Sequence, residues 1–208
     1  MTGRWCTLGL VLAVAACGAQ SQDAVEEGRT TAAATLACAP QAPFEELAER
    51  VSPYDSAMVE SAGIRAKICY SRPYVKGRKI FGADSTALVP FGKLWRTGAN
   101  EPTTIHLATA AEIAGIAVEP GSYSLYTVPG ESEWTVIVNR STSQWGHESR
   151  YTPEVQAQEV GRATVPAQTI PELVEQFTIR WEPAESGTSL ILEWETTRVA
   201  IPVTAPAA

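Results

Sequence analysis

The residues best suited to bind a ligand lie in a basic window that runs from Arg72 to Arg96 and contains a tryptophan. This window carries a net charge of +5, whereas the rest of the 208-residue chain carries −12. Arginine can bind a carboxylate or phosphate through two parallel hydrogen bonds, and a tryptophan ring can stack on a sugar. We therefore predict a site for a small anionic or carbohydrate ligand. Its candidate residues are Arg72, Lys76, Arg78, Trp95, Arg96 and Asn100.

A structural role for the same residues is a second interpretation. Arg72 and Arg96 could pair with acids such as Glu101 inside the fold, because buried arginine–carboxylate pairs commonly fix loops. Trp95 would then belong to the hydrophobic core. In that case the basic charges serve internal pairing only.

An enzymatic role is a third interpretation. Glu101, His106 or His147 could act as a general acid or base, with Arg96 stabilising an oxyanion, in a hydrolase for a small substrate. The sequence has no motif of a serine hydrolase, a nucleotide-binding loop or a dinucleotide fold, and no zinc-ligand spacing. We therefore expect no metal and no cofactor, and we favour a noncatalytic binding or envelope-support module over an enzyme.

The N-terminus has the layout of an export signal. Arg4 precedes an apolar run over residues 8–14, which is too short to span a bilayer. Residues 14–17 (VAAC) resemble the lipobox of bacterial lipoproteins, in which the chain is cut before a cysteine that becomes acylated. We predict a signal peptide over residues 1–16 and lipidation of Cys17. Cleavage of an ordinary signal peptide is the alternative.

The predicted lipid would attach the exported chain to a membrane, which is therefore the expected partner. Residue 18 is Gly rather than the Asp that favours retention in the inner membrane of proteobacteria. We expect an outer-membrane lipoprotein that faces the periplasm. The net charge of −7 argues against nucleic acid as a partner, since phosphate contacts need an excess of Lys and Arg. No protein partner is indicated.

Two cysteines, Cys38 and Cys69, remain after Cys6 leaves with the signal and Cys17 is acylated. An oxidising compartment favours their pairing, and a disulfide would tie the end of the tether to the first predicted strand. Two free thiols are equally compatible with the sequence. Nothing near Cys69 indicates a catalytic thiolate.

A mostly β-structured domain must position these residues. Beyond residue 60, apolar and polar side chains alternate in short runs that Gly, Pro, Asn and Ser separate. Strands are predicted over residues 64–70, 104–108, 113–118, 123–128, 134–139 and 156–163. A hairpin follows, with Phe177, Ile179, Trp181, Leu190, Leu192 and Trp194 on its apolar face. Frequent turns without long helices predict an all-β fold, an antiparallel β-sandwich or barrel-like domain.

The rest of the chain divides around this domain. Residues 17–43 are poor in large apolar side chains and are predicted to form a disordered, lipidated tether. A short amphipathic helix is predicted from residue 44 to the region before Pro53, because Phe44, Leu47, Ala48 and Val51 share helical spacing. One β domain is expected over residues 44–203, with a helical turn near residues 171–175. Residues 204–208 are expected to fray.

Three blocks of sequence stand out within this domain. They are residues 70–82 (YSRPYVKGRKIFG), residues 88–101 (LVPFGKLWRTGANE), and residues 120–130 (PGSYSLYTVPG) with the following WTVIVN and WG segments. This pattern resembles the bacterial domain of unknown function 2911 family over roughly residues 60–200. The departures are small: a few extra residues at 83–87, and Ser122 where Thr is usual. The resemblance implies an exported protein or lipoprotein and no established activity.

Overall fold

The computed structural model describes Met1 and residues 36–207. The predicted signal peptide beyond Met1, the predicted lipidation site at Cys17, most of the predicted tether and Ala208 lie outside the described residues. Within the described part, no helix has the length and apolar character needed to cross a membrane.

Strands make up most of the described chain. The helical elements are α1 (Phe44–Leu47), a 3₁₀ helix (Glu148–Arg150) and α2 (Pro153–Gln156). The strands are β1 (Tyr54–Ser61), β2 (Ile64–Ser71), β3 (Phe81–Gly82), β4 (Val89–Pro90), β5 (Thr103–Leu107), β6 (Ala111–Ile113), β7 (Ile116–Val118), β8 (Gly121–Val128), β9 (Glu133–Asn139), β10 (Glu159–Ala184) and β11 (Gly187–Thr204). The predicted all-β class is confirmed.

Nine of the strands form one large open antiparallel sheet in the order β1-β2-β5-β8-β9-β10-β11-β6-β7. The 26-residue strand β10 joins its two halves. It pairs with β9 over residues 159–166 and with β11 over residues 167–184. The register with β11 shifts near Val174, which marks bulges that bend the strand. The sheet thereby encloses one hydrophobic core, and β3 and β4 form a small parallel pair beside it.

Aromatic side chains dominate the centre of that core. Phe81, Trp95, Trp134, Phe177 and Trp194 pack with ring centroids 4.9–5.9 Å apart, mostly edge to face. Such pairs add about 0.5–1.5 kcal/mol each to the burial of their area. The cluster therefore fixes the loop that carries Trp95 against β9, β10 and β11.

The β10–β11 hairpin has the predicted apolar face. Ile179 pairs with Leu192 and Trp181 with Leu190, around a turn between Ala184 and Gly187. Trp194 and Leu192 are buried. Trp181 is only half-buried, and its indole N–H donates to the Ala57 carbonyl at 3.2 Å.

Several local expectations were wrong. The run at 113–118 is two strands, β6 and β7, because Ala114 (φ 49°) and Gly115 (φ 80°) make a tight turn between them. The expected helical turn at 171–175 is part of bulged β10, and β1 was not predicted. Helix α1 has four residues and buries only Leu47, since Phe44 and Val51 are exposed.

The segment before β1 is fastened to the rest of the domain by a disulfide and by an ion pair. A disulfide joins Cys38 to Cys69 in β2, with the two Cα atoms 5.8 Å apart. Arg50 donates two hydrogen bonds to the Glu101 carboxylate, at 2.6 and 2.9 Å. The chain from residue 38 onward is thus part of the β domain rather than of a free tether.

Candidate functional site

A cavity of about 770 Å³ opens between the loop after β2, the loop around β4 and the segment at residues 148–151. Its volume lies within the range of about 300–1,000 Å³ that is typical of small-molecule sites. Among the described residues, four basic side chains line it, Lys76, Arg78, Lys93 and Arg96, together with a single carboxylate, Glu148. The cavity therefore concentrates positive charge in a chain whose net charge is −7.

Strand β10 holds the loop that carries Lys76 and Arg78. The Val75 amide donates to the Glu175 carbonyl at 2.7 Å, and the Phe177 amide donates to the Pro73 carbonyl at 2.9 Å. Lys76 (φ 47°) and the following glycine (φ 67°) adopt left-handed conformations, which turn the loop back towards β3. The loop thus has a defined shape although it has no strand structure of its own.

Strand β8 holds the loop that carries Arg96. The backbones of Trp95 and Thr127 exchange two hydrogen bonds of 2.8 and 2.9 Å, and the Thr103 amide donates to the Arg96 carbonyl at 3.1 Å. Gly146 packs on this loop so closely that a Cβ atom there would lie 2.2 Å from the Asn100 carbonyl oxygen. Only glycine allows this approach, which brings Glu148 beside Arg96.

Arg96 has an incompletely satisfied guanidinium. Its Nε is buried and has no hydrogen-bond partner within residues 36–207. The nearest carboxylate oxygen, Oε1 of Glu148, is 3.9 Å away, which is an ion-pair distance but too long for a hydrogen bond. A buried donor without an acceptor costs about 1–3 kcal/mol. The buried indole nitrogen of Trp194, another lining residue, also lacks a partner among the described residues.

The other three lining cations are exposed. Arg78 donates from Nε to the Val75 carbonyl at 3.1 Å and from one terminal nitrogen to the Tyr74 carbonyl, which orients its guanidinium. The Lys76 ammonium lies 5.7 Å from the centre of the Tyr74 ring. In the described chain, none of Lys76, Arg78 and Lys93 has a carboxylate partner within ion-pair distance. Their charges remain available to a ligand.

Two predicted binding residues lie elsewhere. All three nitrogens of the Arg72 guanidinium donate to protein acceptors: the Phe177 carbonyl, Asp55 and the Thr178 hydroxyl, at 2.9–3.0 Å. The Asn100 amide donates to the Ser71 hydroxyl at 3.2 Å. Neither residue lines the cavity. Arg72 is therefore engaged inside the fold, and Trp95 belongs to the hydrophobic core, as the structural interpretation expects. Lys76, Arg78, Trp95 and Arg96 line the same cavity.

Trp95 lines the cavity as part of the aromatic core. It is 4% exposed, and its indole N–H donates to the Gly98 carbonyl at 3.1 Å. Its ring stacks on that of Trp194, with centroids 5.7 Å apart, and meets Phe81 and Phe177 edge to face. Because protein side chains cover so much of this ring, stacking with a sugar is disfavoured.

Glu101 is an internal anchor for the N-terminal segment. Besides the two bonds from Arg50, its carboxylate accepts a hydrogen bond from the Gln41 amide at 2.9 Å. Burial acts to raise the pKa of Glu101, but the hydrogen bonds from Arg50 and neighbouring amides outweigh burial and hold the pKa below its usual value. Its carboxylate is thus ionised, paired and absent from the cavity lining.

The two histidines also lie outside the lining of this cavity. His106 is buried on β5, with Nδ1 2.7 Å from the Ser122 hydroxyl. Burial, aided by the charge of Lys67, lowers the pKa of His106. Exposed His147 caps the 3₁₀ helix, where its Nδ1 accepts from the Ser149 amide. Residues 36–207 contain no convergent group of His, Cys, Asp or Glu that could hold a metal ion.

Several polar lining residues, among them Lys93, Glu148 and Tyr151, were not candidate site residues in the sequence analysis. Lys93 belongs to the basic window, so its charge was a usable signal. Glu148 and Tyr151 come from a distant segment, which contacts the Arg96 loop only because Gly146 permits the approach. The Tyr151 hydroxyl donates to Glu159 at 2.6 Å, and burial, with this bond, raises the pKa of the phenol.

Comparison with known proteins gives a family but no annotated relative. A family model described as "Protein of unknown function (DUF2911)" matches residues 52–203. The match begins at the cavity wall with Ser52 and continues almost to the end of β11. Neither the curated proteins nor the solved structures contain a match to this chain.

Proposed function

Because the chain belongs to the DUF2911 family of proteins of unknown function, we propose its role from the cavity itself: it is a noncatalytic binding protein for a small anionic ligand. The observation that carries this proposal is the Arg96 guanidinium: its side chain is 22% exposed, its Nε has no hydrogen-bond partner among the described residues, and it lies on the wall of a cavity that three exposed cations share. A ligand carboxylate or phosphate can accept hydrogen bonds from the exposed part of this guanidinium.

Electrostatics favour an anion over a neutral sugar. A hydrogen bond between charged groups contributes about 1.5–3 kcal/mol, and arginine can make two such bonds to one ligand group. A sugar would depend on a free aromatic face, and the ring of Trp95 is largely covered. The anionic ligand is therefore the better match to these side chains.

The arrangement supports binding more than hydrolysis. Glu101, His106 and His147, the residues of the enzymatic interpretation, are engaged outside the cavity. Among the described lining residues, the acid–base groups besides the cations are Glu148, Tyr74 and Tyr151. The raised pKa of Tyr151 keeps its phenol protonated at neutral pH. No second carboxylate or histidine stands beside Glu148 in the described lining to share acid–base work.

We test anion binding by isothermal titration calorimetry of the full chain with inorganic phosphate and with acetate. We expect Lys93→Gln and Arg96→Gln to weaken phosphate binding about fivefold or more, because each loses a charge-assisted contact. Arg140→Gln is the matched control, since Arg140 is exposed and outside the cavity lining. Absence of binding, or equal losses in all three variants, would reject the site.

The cellular setting is part of the same proposal: the chain is exported, acylated at Cys17 and held at the outer membrane facing the periplasm. The sequence of residues 1–18 supports this setting, and the Cys38–Cys69 disulfide is typical of an oxidising compartment. Mass spectrometry of the mature protein should find an N-terminal diacylated Cys17. An unmodified N-terminus at another residue would contradict the proposal.

A further inference from the structure

The cavity has a large apolar component in addition to its cations. More than half of its described lining residues are apolar: besides Gly98 and Ala99, the larger ones include Val51, Pro73, Leu88, Val89, Pro90 and Leu94. A bare phosphate or carboxylate would contact only a small part of this surface. The lining therefore indicates a ligand with an apolar portion as well as a charged group.

The apolar lining continues to the outer edge of the cavity. Trp95 and Trp194 are buried at its inner wall, whereas Leu88 is 47% and Val51 is 74% exposed. Leu88 is held in place, because its amide donates to the Lys79 carbonyl at 3.0 Å. Large apolar side chains grouped in contact with water at the edge of a cavity are typical of a binding surface.

The exposed cations share this outer edge. Lys76, Arg78 and Lys93 are exposed lining residues, as Leu88 and Val51 are. The entrance thus combines positive charge with apolar surface, and the inner end provides the partly exposed guanidinium of Arg96. Both features are complementary to a molecule that carries an anionic group and a hydrocarbon chain.

We infer that the ligand is an amphipathic anion, with a phosphate or carboxylate group at Arg96 and a hydrocarbon chain along Leu94, Leu88 and Val51. This inference rests on the proposed anion-binding function and adds the chemical class of the ligand. Two sources share this chemistry: a free amphiphile and an anionic lipid of the membrane to which the chain is proposed to be anchored.

The test compares three probes: one with the anionic group alone, one with the hydrocarbon chain alone, and one with both. The full chain is held in nanodiscs of zwitterionic phosphatidylcholine and titrated with inorganic phosphate, octyl phosphate below its micelle concentration, and octanol, with empty nanodiscs subtracted. We expect octyl phosphate to bind about tenfold or more tighter than inorganic phosphate, because each buried methylene adds favourable transfer free energy. Octanol should bind at least about tenfold more weakly than octyl phosphate, since it offers no charge to the cations.

Variants separate the two portions of the site. The double variant Val51→Ser, Leu88→Ser should weaken octyl phosphate binding about fivefold or more and leave inorganic phosphate within about twofold. Met58→Ser is the matched control, because Met58 is an exposed apolar residue of β1 outside the lining. If octyl phosphate binds no tighter than inorganic phosphate, the amphipathic ligand is rejected and anion binding stands. If neither phosphate binds, the proposed function fails as well.

A second comparison identifies the source of the ligand. Octyl phosphate is titrated again in nanodiscs that contain phosphatidylglycerol, an anionic lipid. A several-fold loss of apparent affinity means that membrane lipid competes for the cavity and supports a lipid source. Unchanged affinity supports a free amphiphile such as a fatty acid or alkyl phosphate.

Discussion

The guanidinium groups of Arg72 and Arg96 differ in their surroundings rather than in their chemistry. Arg72 donates to three protein acceptors on β1 and β10 and ties the loop after β2 to the sheet. Arg96 has a buried nitrogen without a partner in the described chain and faces Glu148 at 3.9 Å. We therefore assign Arg72 to the stability of the fold and Arg96 to the candidate site.

The ion pair between Glu101 and Arg50 leads to a prediction about stability. Replacing it by Gln leaves the charge of Arg50 without its partner, so Glu101→Gln should lower the free energy of unfolding at pH 7 by roughly 3–5 kcal/mol. The folded pKa of Glu101 lies below its unfolded value. The stabilisation is therefore complete above the ordinary glutamate pKa of about 4.3 and is lost as the pH falls through the lower folded pKa.

Urea unfolding of both proteins between pH 7 and pH 3 measures this effect. The difference between wild type and Glu101→Gln should shrink in the acidic part of this range. Glu131→Gln, at an exposed position, is the control and should change stability little. A difference that stays constant with pH would contradict the assigned ion pair.

Among the secondary-structure elements and segments, β10 and the segment before β1 position the walls of the cavity. Strand β10 binds the loop of Lys76 through the backbone of residues 175–177. The segment before β1 contributes Val51 and Ser52 to the lining, and the disulfide and the Arg50–Glu101 pair hold it in place. Loss of either the loop held by β10 or the segment before β1 would therefore open the cavity to solvent.

The disulfide is expected to stabilise this arrangement. It closes a loop between residues 31 positions apart, for which the chain-entropy model gives about 3–4 kcal/mol. Reduction with dithiothreitol should therefore lower the urea midpoint of the wild type. In Cys38→Ser the midpoint should already be low and should not respond to reductant. Equal midpoints for oxidised and reduced wild type would contradict a stabilising bond.

The β10–β11 hairpin allows a comparison of two tryptophans. Trp194 is 2% exposed and lies in the aromatic core, so Trp194→Ala should cost roughly 3–5 kcal/mol of stability. Trp181 is half-buried on the same apolar face, and Trp181→Ala should cost clearly less. Denaturant unfolding followed by far-ultraviolet circular dichroism measures both values. A tolerated Trp194→Ala would argue against the assigned core.

For the whole molecule, the important property is the separation of charge. The window of residues 72–96 carries +5 against −12 in the rest of the chain, and four of its six cations line the cavity. The other two are engaged elsewhere: Arg72 as above, and Lys79 with Asp84 at 2.5 Å. A basic cavity in an acidic protein attracts small anions at short range, and its cations also attract the acidic remainder of the chain.

This separation predicts a salt dependence. Screening lengths fall from about 30 Å at 0.01 M salt to about 3 Å at 1 M, so the exposed cations lose much of their attraction for an anion. Phosphate affinity, measured by calorimetry, should weaken several-fold across this range. Lys93→Gln should show a smaller change, because one exposed cation is missing. A salt-independent affinity would mean that the cations do not contribute to binding.

Local patterns in the sequence determined the β class, most of the longer strands and the basic window. Alternation is a property of neighbouring residues, so β2, β5, β8, β9 and the β10–β11 hairpin could be predicted from it. Strand β1 was missed because polar and apolar residue types do not alternate along it, although half-buried and exposed positions do. The bulged part of β10 was missed because its exposure does not alternate cleanly.

Only the tertiary structure separated binding candidates from anchors. Arg72 and Arg96 are alike in the sequence, but the acceptors of Arg72 include residues more than 100 positions away, at Phe177 and Thr178. Glu148 likewise reaches Arg96 only because Gly146 permits close packing. The sequence by itself determined which side chains are charged and which segments can form strands. Their pairing depends on long-range contacts, which no local pattern encodes.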